Sequence, residues 1–180
     1  YDLARAGRQW RNLQDTTDQP IIAYRLPLAY PSWQRGTDYY TEGALLWLDV
    51  DTRLRELTRE RRSLDDFARA FYSMDDGELG PSTFRFDDVV EALGRLAPGE
   101  DWRGFLRDRL DGHGPGGPIG GLERAGWRLV WRDKPSAFTR GVEVEQKRIN
   151  ATFSLGLALT RDGGRIAEVA WGGPAFKAGI

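Results

Sequence analysis

The chain has 180 residues, 40% hydrophobic and 29% charged, the balance of an ordinary globular domain rather than a disordered segment. Its 26 basic and 27 acidic side chains leave a formal charge of −1, which gives no general field for nucleic acid or an anionic membrane. Cysteine is absent and histidine occurs once, at His113, so disulfides, thiolate metal sites and any two-histidine metal motif are excluded from this chain by itself.

Residues 1–36 are polar and punctuated by Pro20, Pro27 and Pro31; they read as an extended or looped segment, with "IIAYRLPLAY" supplying a short strand or buried crossing. From about Thr41 to Thr58, Leu46, Val50, Leu54 and Leu57 recur every three or four residues, which predicts a helix with one broad buried face. Its apolar run, residues 44–50, is far short of the roughly 20 residues of a membrane-spanning helix. The charged remainder, "DTRLRELTRERR", reads as a solvated face with i,i+4 pairs Asp49–Arg53 and Asp51–Arg55.

"SLDDFARAFY" begins at Ser63, a good N-cap with Asp66 three residues on, and offers Leu64, Phe67, Ala68 and Phe71 to a core. A Gly- and Asp-rich loop follows, then a third helix capped by Asp87 that carries Val89, Val90, Leu93 and Leu96. "DWRGFLRDRL" predicts a fourth, burying Trp102, Phe105, Leu106 and Leu110. "DGHGPGGPIGG", with six glycines and two prolines in eleven residues, marks a boundary or mobile connector. Beyond Gly121 a turn at "LERAG" leads to strand-like "WRLVWRD", "TFSLGLALT" and "RIAEVAW", the last two joined by a hairpin turn at "RDGG". The expected fold class is α+β: a mainly helical, bundle-like region at about 37–125, a β-rich connector at 126–150, and a β-rich segment at 151–180. The chain opens without a start methionine or signal-type segment and stops where a helix has barely begun, which reads as a piece of a longer protein.

The side chains themselves offer little chemistry. His113 sits between glycines, where nothing would fix an imidazole, so a Ser/His/Asp triad fails with it. "DVDTRLRELTRE" places Asp49, Asp51 and Glu60 at calcium-loop positions, but Arg53 and Leu54 stand where an oxygen ligand and a turn glycine are needed. The pairs Asp65–Asp66, Asp75–Asp76 and Asp87–Asp88 are adjacent residues, which on a helix diverge by about 100°, and helix starts explain them better than acid/base work.

Two stretches carry a resemblance. "YYTEGALLWLDVDTRLRELTRERRSLDDFARAFY" with "TFRFDDVVEALGRLAPGEDWRGFLRDRL" resembles the C-terminal helical part of the glycyl aminopeptidase family, thermolysin-like zinc peptidases related to the aminopeptidase N group. The tail "TFSLGLALTRDGGRIAEVAWGGPAFKAGI" resembles the first half of a PDZ domain, which that family carries at its C-terminus. The resemblance implies that Tyr40 in "YTEGA" matches the tyrosine of a Tyr-x-Lys-Gly-Ala element, which donates a hydrogen bond to the oxyanion of the tetrahedral intermediate; Tyr39 takes the role if the register slips. Glu42 stands where those relatives have lysine. Small residues at Gly43 and Ala44 leave room for an approach to that face.

By the same resemblance, the zinc ligands and general base belong upstream of Tyr1, so zinc is a cofactor of the parent enzyme, no metal site is expected in this chain, and the chain alone is expected to be inert. Peptides are the implied substrates. Ser154, Leu155, Gly156 and Leu157 match the PDZ loop whose amides receive a peptide C-terminal carboxylate, although the groove helix would lie past Ile180. No nucleic-acid partner and no membrane span are expected. A noncatalytic helical interaction domain with a PDZ-like peptide-binding module is the alternative from another class.

Overall fold

The computed structural model describes residues 6–18, 30, 32–73, 77, 80–162 and 164–180. Residues 21–29 of the segment expected as a short strand or buried crossing, and the Asp75–Asp76 pair, lie outside them. The protein is α+β, as the sequence patterning predicts: a helical body followed by a small three-stranded antiparallel sheet. Among the described residues no helix is long and apolar enough to cross a membrane.

The body is built around α2 (Asp38–Thr58). Leu46, Val50 and Leu54 line its inner face and meet Phe67 and Phe71 of α3 (Leu64–Tyr72), Ala92 and Leu93 of α4 (Phe86–Leu96), and Trp102 and Leu106 of α5 (Trp102–Asp111). Leu57, expected on this face, lies at its edge and is exposed. Two consecutive left-handed residues, Arg59 (φ 53°) and Glu60 (φ 62°), stop α2, and Glu60 N–H closes on the Arg55 carbonyl at 2.7 Å. Ser63 and Asp66 form the expected capping box at α3, while Asp51 of α2 accepts from Leu64 N–H at 2.7 Å and ties the two helices together. The start of α4 differs from expectation. Asp88, not Asp87, reaches back to Arg85 N–H at 2.6 Å, because Arg85 is the N-cap and the helix begins at Phe86, two residues earlier than an Asp87 cap would place it, and Asp87 pairs with Arg103 instead.

Within residues 1–36, where the sequence predicts loop or extended chain, a 3₁₀ turn (Ala6–Gln9) and α1 (Leu13–Thr17) form. Asn12 caps α1 by accepting from Asp15 N–H at 2.8 Å, and Leu13 and Thr16 are buried against the body. Gly7 is required here: a Cβ would stand 2.5 Å from the Trp33 carbonyl oxygen, so only glycine lets these two backbone segments meet. α6 (Gly120–Arg124) lies equally close on α2, where a Cβ at Gly121 would be 2.6 Å from Asp49 N.

The β-rich connector expected at 126–150 is corrected. Residues 127–133 form no strand, since their Trp/Arg alternation finds no edge to pair with, and α7 (Ala137–Glu145) follows, capped by Ser136. β1 (Arg148–Ala151), β2 (Leu157–Thr160) and β3 (Ile166–Val169) then form an antiparallel meander, with an irregularity at Ala158/Leu159. α8 (Pro174–Lys177) opens with proline in its first turn. The β3–α8 corner folds back on Tyr30, Ser32 and Trp33: Trp171 packs 4.9 Å from Tyr30 and 5.3 Å from Trp33, and its backbone N–H donates to Ser32 Oγ at 3.0 Å.

Candidate functional site

Two acids lie within the apolar stripe of α2. Glu42 is 1% exposed and Asp49 is 0% exposed, and seven residues put them on one face, two turns apart. A carboxylate buried this deeply is tolerated only with charged partners. Glu42 accepts from Arg8 of the 3₁₀ turn and, through Oε2 at 2.5 Å, from Arg35 Nη2. Arg35 Nε also donates to Asp38 Oδ2 at 2.9 Å and its Nη1 to the Arg11 carbonyl at 2.9 Å, while Arg11 Nη1 returns a bond to the Arg35 carbonyl at 2.6 Å.

Asp49 is held by Arg109 of α5 and Arg124 of α6. The expected Asp49–Arg53 pair does not form: the body closes over Asp49 and two arginines from distant segments compensate it, leaving Arg53 to Glu56 and Glu100 at 2.7 and 2.6 Å. Asp51–Arg55 forms as expected at 2.8 Å, and this partner raises the Arg55 guanidinium above its ordinary value. Spacing already contained the missed signal, since residues 42, 46, 49, 50 and 54 make one stripe with acids inside it.

Glu42, Asp49, Arg8 and Arg109 border a cavity of about 350 Å³ roofed by residues 112–120. The glycine-rich connector is therefore tied down: Gly114 N–H donates to the Arg8 carbonyl at 2.8 Å. His113 is exposed at the rim. The donor set does not suit zinc. Cysteine is absent, the one histidine is exposed, and among the described residues no three His, Asp or Glu side chains converge.

Tyr40 is the third residue of α2 and 72% exposed, with its backbone N–H on the Thr37 carbonyl at 3.1 Å. Side chains two residues apart project about 200° apart on a helix, so Tyr40 leaves the face opposite Glu42. Around it the surface is open: nothing lies within 4 Å of where a Gly43 Cβ would be, and Ala44 is exposed. Tyr39, the alternative, is half-buried against the core and holds the Tyr40 ring at 4.6 Å.

Ser154, Leu155, Gly156 and Leu157 fall on the β1–β2 turn and the start of β2. The N–H groups of Ser154, Leu155 and Gly156 all donate to the Ala151 carbonyl, at 3.2, 2.8 and 3.0 Å. These three amides are engaged within the turn rather than presented to a ligand. Leu155 and Gly156 carbonyls in turn accept from Ala175 and Ala170. The loop and Tyr40 belong to different parts of the chain, and no hydrogen bond or ring contact links them among the described residues.

No protein-family model and no curated protein matches the chain.

Proposed function

We propose that the chain is the C-terminal helical part of a zinc-dependent aminopeptidase of the glycyl aminopeptidase type, followed by the first half of a PDZ module. In this reading the helices wall the peptide-binding cleft. Tyr40 donates its phenol hydrogen to the oxyanion that forms as the scissile carbonyl becomes tetrahedral. The carrying observation is the setting of Tyr40: an exposed tyrosine on the first turn of the central helix, beside Gly43 and Ala44, where small residues leave the hydroxyl approachable. A packed helix entrance would have used larger residues there. In this reading the metal ligands belong to a segment outside this chain.

The rival, a noncatalytic interaction domain, draws support from the exposed aromatics Trp127, Trp131, Phe138 and Phe153 beyond the helical body. Turnover separates the two. The longer protein is expected to release N-terminal glycine from small peptides, and the purified 180-residue chain to release none. Hydrolysis by the isolated chain would sink the proposal, and a longer protein with no turnover and no bound metal would favour the rival.

A further inference from the structure

We infer that Arg35 and Glu42 are positioning residues for Tyr40, forming a buried ionic clamp that fixes the first turn of α2 from behind; the inference rests on the role proposed for Tyr40. Helical geometry carries the first step. Asp38 and Glu42 are one turn apart and share a face, whereas Tyr40 lies between them in sequence and projects to the other side. Arg35 spans that turn with a single planar group, donating to Asp38 at 2.9 Å and to Glu42 at 2.5 Å. Arg8 closes on the same Glu42 oxygen from the opposite segment. The Arg35 and Glu42 side chains are 0% and 1% exposed, so neither reaches solvent or a peptide.

A first helical turn is ordinarily the least constrained part of a helix, because its N–H groups have no intrahelical acceptors and its ends fray. Here that turn has no side-chain N-cap, since Thr37 makes no cap hydrogen bond. The clamp substitutes for the cap by tying the turn, through Arg8, to the 3₁₀ turn and, through Arg35, to the Arg11 carbonyl, while the Arg11 guanidinium donates in return to the Arg35 carbonyl. A hydroxyl meant for an oxyanion has to be held to within a fraction of an ångström, and the Tyr39 ring against one side of a side chain as exposed as Tyr40 does not by itself supply that. Fixation therefore comes through the backbone. Arg35 is also the residue whose geometry matters, because lysine keeps the charge but, as a compact point charge, lacks the planar fork that meets Asp38, Glu42 and the Arg11 carbonyl from three separate nitrogens.

The test is a mutant cycle in the longer, zinc-loaded protein, with glycyl-p-nitroanilide as substrate and zinc content, circular dichroism and thermal midpoint as controls. Glu42→Gln removes the charge that two buried guanidiniums share, so Arg35→Lys is measured beside it as the milder variant. Each is expected to lower kcat roughly 10–100-fold with zinc retained. KM should stay within about two-fold, since no substrate contact is lost. In a Tyr40→Phe background neither should lower kcat further, because a hydroxyl already absent cannot be misplaced. Arg35→Lys with undiminished kcat, or losses that multiply with Tyr40→Phe, would overturn the clamp and leave the role of Tyr40 standing. A normal kcat for Tyr40→Phe alone would remove both.

Discussion

Asp49 shows how a side chain on a charged-looking helix becomes a structural centre. With its carboxylate 1% exposed and Arg109 and Arg124 at 22% and 24%, the acid is buried and the bases are partly wet. Asp49→Asn keeps the shape but leaves two guanidiniums facing a neutral amide. The expected loss is about 3 kcal/mol, the lower end for a broken buried pair because both arginines retain some solvent. Urea unfolding of the single mutant measures it, and a loss below about 1 kcal/mol would mean that the pairs are no stronger than surface ones. Local spacing assigns Asp49 to Arg53, four residues on. Its partners stand 60 and 75 residues away, and nothing local encodes which arginine returns to which acid. The exposure of Tyr40, by contrast, was legible, because glycine and alanine three and four residues after a tyrosine are a short-range pattern.

At the scale of the helix, ends carry the information. Arg59 adopts φ 53°, a conformation that costs a side-chain-bearing residue roughly 1–2 kcal/mol, and glycine recovers part of this against its own entropy in the unfolded chain. Arg59 is exposed, so Arg59→Gly is expected to stabilise the protein by up to about 1 kcal/mol. A higher thermal midpoint checks it. At the next helix, Asp66 accepts from Ser63 N–H, which holds its carboxyl below the ordinary carboxylate range, with Arg62 adding to the effect. A depressed folded value means that this contribution is complete above the unfolded carboxylate pKa and disappears as pH falls through the folded one. Asp66→Asn should therefore be less stable at neutral pH and show a shallower acid limb than the parent sequence in midpoint-versus-pH curves. Identical acid limbs would remove Asp66 from the linkage.

Helix-start signals were legible wherever the capping residue and its partner were close in sequence, as at Ser63 and Asp66. They were missed where the element was too short for periodicity, as at Leu13–Thr17, or where a strand-like alternation preceded it, as at Ala137–Glu145. The Trp127, Leu129, Trp131 alternation is real in the sequence. A strand, however, is a property of a pair, and no partner strand meets it among the described residues.

In the whole molecule, the first and last segments of the described chain meet. Trp33 touches both Trp10, at 4.9 Å, and Trp171, at 5.3 Å, while Arg35 two residues later grips the turn that bears Tyr40. The three-stranded meander is thus attached to the same short stretch that braces α2. Composition divides these parts at the glycine connector. The structure joins them through aromatic contacts between residues more than a hundred positions apart, which no periodicity announces. The fold class was legible because hydrophobic periodicity is local; the bracing of the candidate site was not, because it is assembled from segments that meet only after folding.

The proposed chemistry depends on one hydroxyl. Tyr40→Phe in the longer protein, assayed for aminopeptidase turnover and zinc content together, removes the proposed oxyanion donor and nothing else. The predicted result is a fall in kcat of about 10²–10³-fold with zinc fully retained. A kcat close to that of the unaltered protein would contradict the role given to Tyr40.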